Sequence, residues 1–303
     1  MKRFYLLFYL LLGISSASVY AAPLPETPSV RLNTVLHSAK IMDIAANSAG
    51  SLLATASFDK TVKLWDADSG KLLKTLRPPI GAALEGTLFA VALSPDGSTV
   101  AAAGSTGFSW DKAFCVYLFN VNTGEIIKRL IGLPQSIQRL AFSPDGKRLA
   151  IGLNASGGVR VVNLADSSSI LDDRNFGGNC FGLEFDKQGN LVASTDAGTI
   201  RLYRKDGSTA FTVKTENGKQ ILDTRFSPDG KQLAVVYDDY YGVEVRAALD
   251  GSLDFVLQQP RGFFTSSPQP TFRKIMTCSG FLQMGCPCCL VMNGMDSLRH
   301  VLI

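Results

Sequence analysis

The sequence predicts an all-β fold assembled from repeated four-stranded antiparallel units, and three observations carry that prediction. The turn Ser94-Pro95-Asp96-Gly97 recurs as Ser143-Pro144-Asp145-Gly146 and Ser227-Pro228-Asp229-Gly230, with looser copies at Asn47-Ser48-Ala49-Gly50 and Asp186-Lys187-Gln188-Gly189. The closing glycines lie 47, 49, 43 and 41 residues apart. At such a period one unit cannot bury its own apolar face and must stack on its neighbours. Apolar runs of strand type flank each turn, the pattern of a hairpin.

The elements follow in order within each unit. A first strand precedes the turn, as in Phe89 to Leu93, Leu140 to Phe142 and Leu222 to Phe226. In the turn, Pro presets φ, Asp bonds locally and Gly accepts a positive φ. A second strand follows at Thr99 to Ala103, Arg148 to Gly152 and Gln232 to Val236. A third alternates in character at Val62 to Trp65, Val116 to Phe119, Val159 to Val162, Ile200 to Tyr203 and Val243 to Arg246, as a half-buried strand does. Asp68-Ser69-Gly70, Asn122-Thr123-Gly124, Asp206-Gly207 and Asp250-Gly251 then turn the chain into a weaker fourth strand, such as Lys71 to Leu76 or Glu125 to Leu130. Four antiparallel strands per repeat make a β-propeller blade. Five blades are recognisable, at about 33–77, 81–130, 135–172, 178–215 and 220–258, within a propeller region of 33–259.

Residues 51–76 carry the fullest motif, with Leu52 to Ser57 followed by Phe58-Asp59-Lys60-Thr61-Val62-Lys63-Leu64-Trp65-Asp66 and with His37 upstream. This pattern resembles the WD-repeat family, with Leu36 standing where the family has glycine before its histidine. The resemblance implies a structural hydrogen-bonded tetrad of His37, Ser57 (or Thr55), Asp59 and Trp65. It extends over about residues 33–258 by strand and turn pattern, but the Trp65-Asp66 position becomes Phe119-Asn120, Val162-Asn163, Tyr203-Arg204 and Arg246-Ala247 in later units. Trp110-Asp111 is a decoy, since it precedes the third strand of its unit. Resembling proteins usually close with seven blades, so the recognisable region is expected to be incomplete and to self-associate through unpaired edges. The N-terminal half is similar to exported bacterial WD-repeat proteins of unknown role, some of whose relatives carry caspase-like domains. No segment here reads as such a domain, so peptidase activity does not transfer.

The N-terminus predicts export. Met1-Lys2-Arg3 is basic, Phe4 to Leu12 is apolar, and Val19-Tyr20-Ala21 offers small residues at the cleavage positions, so residues 1–21 read as a signal peptide and 22–32 as a linker. The apolar stretch is too short for a spanning helix, and no membrane span is expected after cleavage. Removing residues 1–21 lowers the formal charge of +4 by two, and the remaining basic residues are scattered, which excludes a nucleic-acid partner. A periplasmic or secreted location follows.

After Gln259 the repeat pattern stops, and Cys278, Cys286, Cys288 and Cys289 crowd the final stretch. A break this abrupt predicts that residues 260–303 are a frameshifted or truncated end. The rival reading takes Cys286-Pro287-Cys288-Cys289, Cys278 and His300 as soft metal donors or as disulfide formers. The spacing contains no paired Cys-x-x-Cys, so no metal site is assigned.

Function is expected to lie in binding. Loops between second and third strands hold the unusual residues: Gly104 to Lys112, with Phe108, Trp110 and Asp111, and Asp238 to Gly242, with Asp239, Tyr240 and Tyr241. Exposed aromatics beside charges suit an interaction surface, whereas folding back over the blade edge is the structural alternative for Phe108 and Trp110. Quinoprotein-type propellers repeat tryptophan motifs, and this chain has two tryptophans, Trp65 and Trp110. No nucleophile motif, phosphate-cradling loop or placed carboxylate pair is evident. The expectation is a non-catalytic, cofactor-free scaffold or assembly subunit for an unidentified protein partner. A ligand-sensing propeller is the alternative, ahead of a hydrolase, lyase or quinoprotein-like enzyme.

Overall fold

The computed structural model describes residues 36–215, 220–238 and 243–257. Among them the chain forms five four-stranded antiparallel sheets, each with its strands in sequence order. Blade 1 comprises β1 (Ile41–Ala46), β2 (Leu52–Ser57), β3 (Val62–Asp66) and β4 (Leu72–Leu76). Blade 2 comprises β5 (Thr87–Leu93), β6 (Thr99–Ser105), β7 (Phe114–Asn120) and β8 (Ile126–Leu133), with the short helix α1 (Phe108–Asp111) between β6 and β7. Blade 3 comprises β9 (Ile137–Phe142), β10 (Arg148–Leu153), β11 (Val159–Asn163) and β12 (Ser169–Asp173). Blade 4 comprises β13 (Cys180–Phe185), β14 (Leu191–Thr195), β15 (Thr199–Tyr203) and β16 (Thr209–Lys214). Blade 5 comprises β17 (Ile221–Phe226), β18 (Gln232–Tyr237), β19 (Val243–Ala247) and β20 (Leu253–Leu257). The signal-peptide and cysteine-tail expectations lie outside the described residues.

The recurring turn works through its serine as much as its glycine. Ser143 Oγ donates to Asp145 Oδ1 at 2.5 Å and accepts the Arg148 N–H at 2.9 Å. Ser94 and Ser227 make the same two bonds in their blades. The glycine is needed for its backbone: Gly97, Gly146 and Gly230 have φ of 72°, 68° and 72°. Ser143 is fully buried, so Ser143→Ala strands the Arg148 N–H and is expected to cost about 1–2 kcal/mol. Urea unfolding checks this; an unchanged midpoint would show the bond to be dispensable.

A second repeat is invisible in the sequence. The innermost strand of every blade carries a bulge against the second strand, after Ile41, Leu88, Ile137, Cys180 and Ile221. Each bulge increases local twist, and pairing resumes at the residue two positions on. Those residues are Asp43, Ala90, Arg139, Gly182 and Asp223. Asp43 Oδ2 accepts the Val91 N–H of β5 at 3.0 Å, and a Cβ on Gly182 would come within 2.7 Å of the Thr224 N of β17.

The core is a series of layers between blades. Ala54, Val62 and Leu64 of blade 1 pack on Leu88, Val100 and Tyr117 of blade 2. Equivalent layers join blades 2 and 3, 3 and 4, and 4 and 5. No blade buries its apolar faces alone, the physical reason for the repeat.

Candidate functional site

Three groupings of polar or exposed side chains stand out: a tetrad in blade 1, an ionic cluster on the inner strands, and a surface around α1. The tetrad is a directional chain. Trp65 Nε1–H donates to Thr55 Oγ1 at 2.9 Å, Thr55 Oγ1 lies 2.8 Å from His37 Nε2, and His37 Nδ1 lies 2.8 Å from Asp59 Oδ2. A carboxylate only accepts, so His37 Nδ1 carries the proton; the Thr55 hydroxyl then donates to Nε2 while accepting from the indole. Thr55, and not Ser57, therefore stands between imidazole and indole. Ser57 serves the turn instead, accepting the Asp59 N–H and donating to the Ala39 carbonyl, each at 3.1 Å. The correction follows from strand alternation, which sends residues 55 and 57 to the same face but only Thr55 beneath the indole. Sequence spacing had left both open.

Burial pushes the His37 imidazole below its ordinary value of 6.5, against the pull of Asp59. Asp59 sits below the usual carboxylate range because the Thr61 hydroxyl and His37 outweigh its desolvation. Between about pH 6.5 and the lowered folded value of His37, the unfolded chain binds a proton that the folded chain does not. Stability should therefore be level above about pH 6.5 and decline below it, flattening once folded His37 titrates. His37→Gln should remove that decline in a series of thermal melts; identical pH slopes for both proteins would refute the assignment.

The inner strands gather Asp43, Arg139, Glu184, Asp223 and Arg225. Arg225 Nε donates to Asp223 Oδ2 at 3.0 Å, and its Nη1 lies 3.8 Å from Glu184 Oε1. Glu184 Oε2 accepts the Phe226 N–H at 2.6 Å, and Asp43 accepts N–H groups from Ile44 and Val91. Burial raises the Asp43 and Glu184 carboxyls, opposed by Arg139 at the first and by Arg225 at both. Desolvation opposes the Arg225 charge, but Asp223 and Glu184 outweigh it and hold the guanidinium charged. Asp43 of blade 1 feels the charges of Arg139 in blade 3 and of Arg225 in blade 5. These carboxylates are committed to backbone and guanidinium donors, an arrangement that laces blades together.

The surface around α1 is apolar. Phe108 and Trp110 are 45% and 48% exposed; the Phe108 ring meets Phe114 at 5.2 Å, so it covers part of the blade edge while Trp110 projects beside it. Asp111 is held by Arg129 of β8 at 3.2 Å. The loop before β5 adds Ile80 and Leu84, 60% and 68% exposed, which sequence reading missed because no repeat motif marks them. This loop is fixed from two sides: Lys60 Nζ donates to the Gly81 and Ala83 carbonyls, and a Cβ at Gly81 would meet Ser109 Oγ of α1 at 3.1 Å. Phe58, 40% exposed, sits edge-on to Phe89 at 5.7 Å in the matching turn of blade 1. Asp239, Tyr240 and Tyr241 lie outside the described residues, so their relation to Trp110 and Asp111 is not fixed.

The two described cysteines, Cys115 and Cys180, are free and buried, and burial raises both thiols, Cys180 to about 12. Neither has thiolate character at neutral pH. No cluster of three or more His, Cys, Asp or Glu ligands occurs among the described residues. No helix there is long and apolar enough to cross a membrane.

Comparison with known proteins gives a consistent picture of the fold. A model of the WD domain, G-beta repeat, matches residues 30–66, and a model of the anaphase-promoting complex subunit 4 WD40 domain matches residues 183–253. The chain is 29% identical over 132 residues to WD repeat-containing protein SL1-17 of Schistosoma mansoni, covering 44% of this chain and 40% of that one. It is 28% identical over 208 residues to eukaryotic translation initiation factor 3 subunit I of Emericella nidulans, covering 64% and 58%. It is 28% identical over 191 residues to WD repeat-containing protein VIP3 of Arabidopsis thaliana, covering 63% and 47%. These relatives are eukaryotic, and the chain spans less than two thirds of the length of each.

Proposed function

We propose that this protein is an exported, non-catalytic scaffold or assembly subunit that docks a protein partner on the loop face of blades 1 and 2. One observation carries the reading: Phe58, Ile80, Leu84, Phe108 and Trp110 are all at least 40% exposed on one set of linked loops. Solvent exposure of clustered large apolar side chains is costly unless a partner covers them, and aromatic residues dominate the centres of such interfaces. The WD-repeat relatives support the class of function, one of them being named as a subunit of a translation initiation factor. Export rests on the basic, apolar and small-residue succession of residues 1–21.

A photo-crosslinking side chain at position 110 should label a discrete partner in the producing cell, while one at Ser69, in the exposed β3–β4 turn on the opposite loop face of blade 1, should not. Equal labelling from both positions would overturn the docking face. Trp110→Ala with Leu84→Ala should abolish the specific adduct from a crosslinker at Ile80 and change stability by less than about 0.5 kcal/mol, since both side chains are exposed. Terminal sequencing of the mature protein tests export separately, with a start at Ala22 or Pro23 expected and an intact Met1 contradicting it.

Self-association is the second element of the reading. Every residue of β20 is exposed, including Leu253, Phe255, Val256 and Leu257, and an outer strand of this kind offers unpaired backbone groups to another chain. Sedimentation should show mass rising with concentration, reversed by Phe255→Lys. A monodisperse monomer at all concentrations would remove this element.

A further inference from the structure

Antiparallel blades put their first and third hairpin turns at one end and their remaining loops at the other, so the molecule has a second loop face opposite α1. There, the β9–β10 and β11–β12 turns of blade 3 and the β15–β16 turn of blade 4 bound an open pocket of about 540 Å³. Its charged lining is Lys147, Arg148, Lys205 and Asp145, and its apolar lining includes Leu164 and Ile170. Three cations thus stand against one carboxylate.

The carboxylate is already occupied. Asp145 accepts the Ser143 hydroxyl at 2.5 Å and the Lys147 N–H at 3.1 Å within its own turn. Arg148 is built in: 8% exposed, it donates from Nη1 to the Lys205 carbonyl at 2.9 Å and from Nη2 to the Gly189 carbonyl at 3.0 Å, with its guanidinium over the Phe185 ring at 5.2 Å. Its Nε is buried without a hydrogen-bond partner among the described residues. Lys147 and Lys205 are exposed, and neither ammonium is hydrogen-bonded or ion-paired to a described residue. A buried arginine held between two blades and flanked by two uncommitted lysines concentrates positive potential in a concave site.

We propose that this pocket docks an acidic segment of a partner protein, with an Asp or Glu side chain against Lys147, Arg148 and Lys205 and an adjacent apolar side chain against Leu164 and Ile170. The charge excess selects a carboxylate, and the apolar wall selects a peptide over a bare inorganic anion, which would leave that wall uncovered. A volume near 540 Å³ lies within the range of specific binding pockets and holds two or three side chains. The site is separate from the surface around α1, so either proposal can fail without the other.

The test uses the full chain and the blocked peptide acetyl-Leu-Glu-Leu-amide, followed by calorimetry and by shifts of assigned resonances at residues 147, 148 and 205. Saturable binding at least about tenfold tighter than that of acetyl-Leu-Gln-Leu-amide is expected, weakening several-fold as salt rises from about 50 to about 500 mM. Lys147→Gln with Lys205→Gln, both at exposed positions, should lose about tenfold in affinity without a change in thermal midpoint. Leu84→Ala with Trp110→Ala should bind the peptide as the parent does. Equal affinity for the two peptides, no binding at millimolar concentration, or indifference to the lysine substitutions would overturn the proposal. So would tighter binding of inorganic phosphate or of free 4-phenylbutyrate at the same residues, which would make the pocket a small-anion site.

Discussion

Thr55→Val should lower stability by about 2–3 kcal/mol, whereas Thr55→Ser should stay within about 1 kcal/mol of the parent. Valine keeps the shape of threonine but removes the single oxygen that accepts the Trp65 indole N–H and donates to His37 Nε2. Two polar groups then lose their partner inside a site where the His37 side chain is only 3% exposed. For a chain of this size the loss corresponds to a fall of roughly 5–10 °C in Tm. A double-mutant cycle gives the sharper test. Thr55→Val and Trp65→Phe should be coupled by about 1 kcal/mol, because each removes one end of the same bond. Strict additivity would show that Thr55 is not the hub. Ser57→Ala, which breaks a turn bond outside the relay, should show no such coupling to Trp65→Phe.

Arg225→Met should be comparably damaging, at about 2–4 kcal/mol, for an electrostatic reason. Arg225 is the counter-charge for Asp223, whose side chain is 9% exposed, and lies near Glu184. Methionine preserves much of the stem and leaves two carboxylates without it. Asp223→Asn in the same chain should recover part of the loss, since it removes the carboxylate left closest to the gap. The deficit should also narrow as pH falls into the carboxylate range, where protonation relieves the unpaired charge. Chemical denaturation at neutral and acidic pH measures both effects. A loss that is constant with pH and unrepaired by Asp223→Asn would mean that Arg225 acts through packing alone.

Much of the fold was legible in local sequence because the repeat is enforced locally. Ser, Pro, Asp and Gly each have a fixed duty in a turn of a few residues, so Ser94, Ser143 and Ser227 announce the same geometry wherever they occur. Fourth strands such as β12 and β20 were faint, because an outer strand is largely exposed and carries little alternation. Strand β8 runs to Leu133, past the expected end at residue 130, since Leu133 is buried against blade 3, and Pro134, which has no N–H for the ladder, follows where it stops. The candidate surface was half legible. Phe108 and Trp110 stand out as aromatics in a long insertion, but Ile80 and Leu84 sit in an ordinary linker and join them only when blades 1 and 2 pack.

The sequence by itself determined the repeat, the antiparallel blade, the near-balanced charge and the membership of His37, Asp59 and Trp65 in one motif. Each of these depends on residue type and short-range spacing. Tertiary structure alone decided that Thr55 bridges His37 and Trp65, because that depends on which side chain lies beneath the indole. It alone assembled Asp43, Arg139, Glu184, Asp223 and Arg225 on inner strands, and it alone brought Lys147, Arg148 and Lys205 from two blades to one pocket. Those groupings join residues tens of positions apart, through recurrent bulges and layered packing that no local pattern encodes.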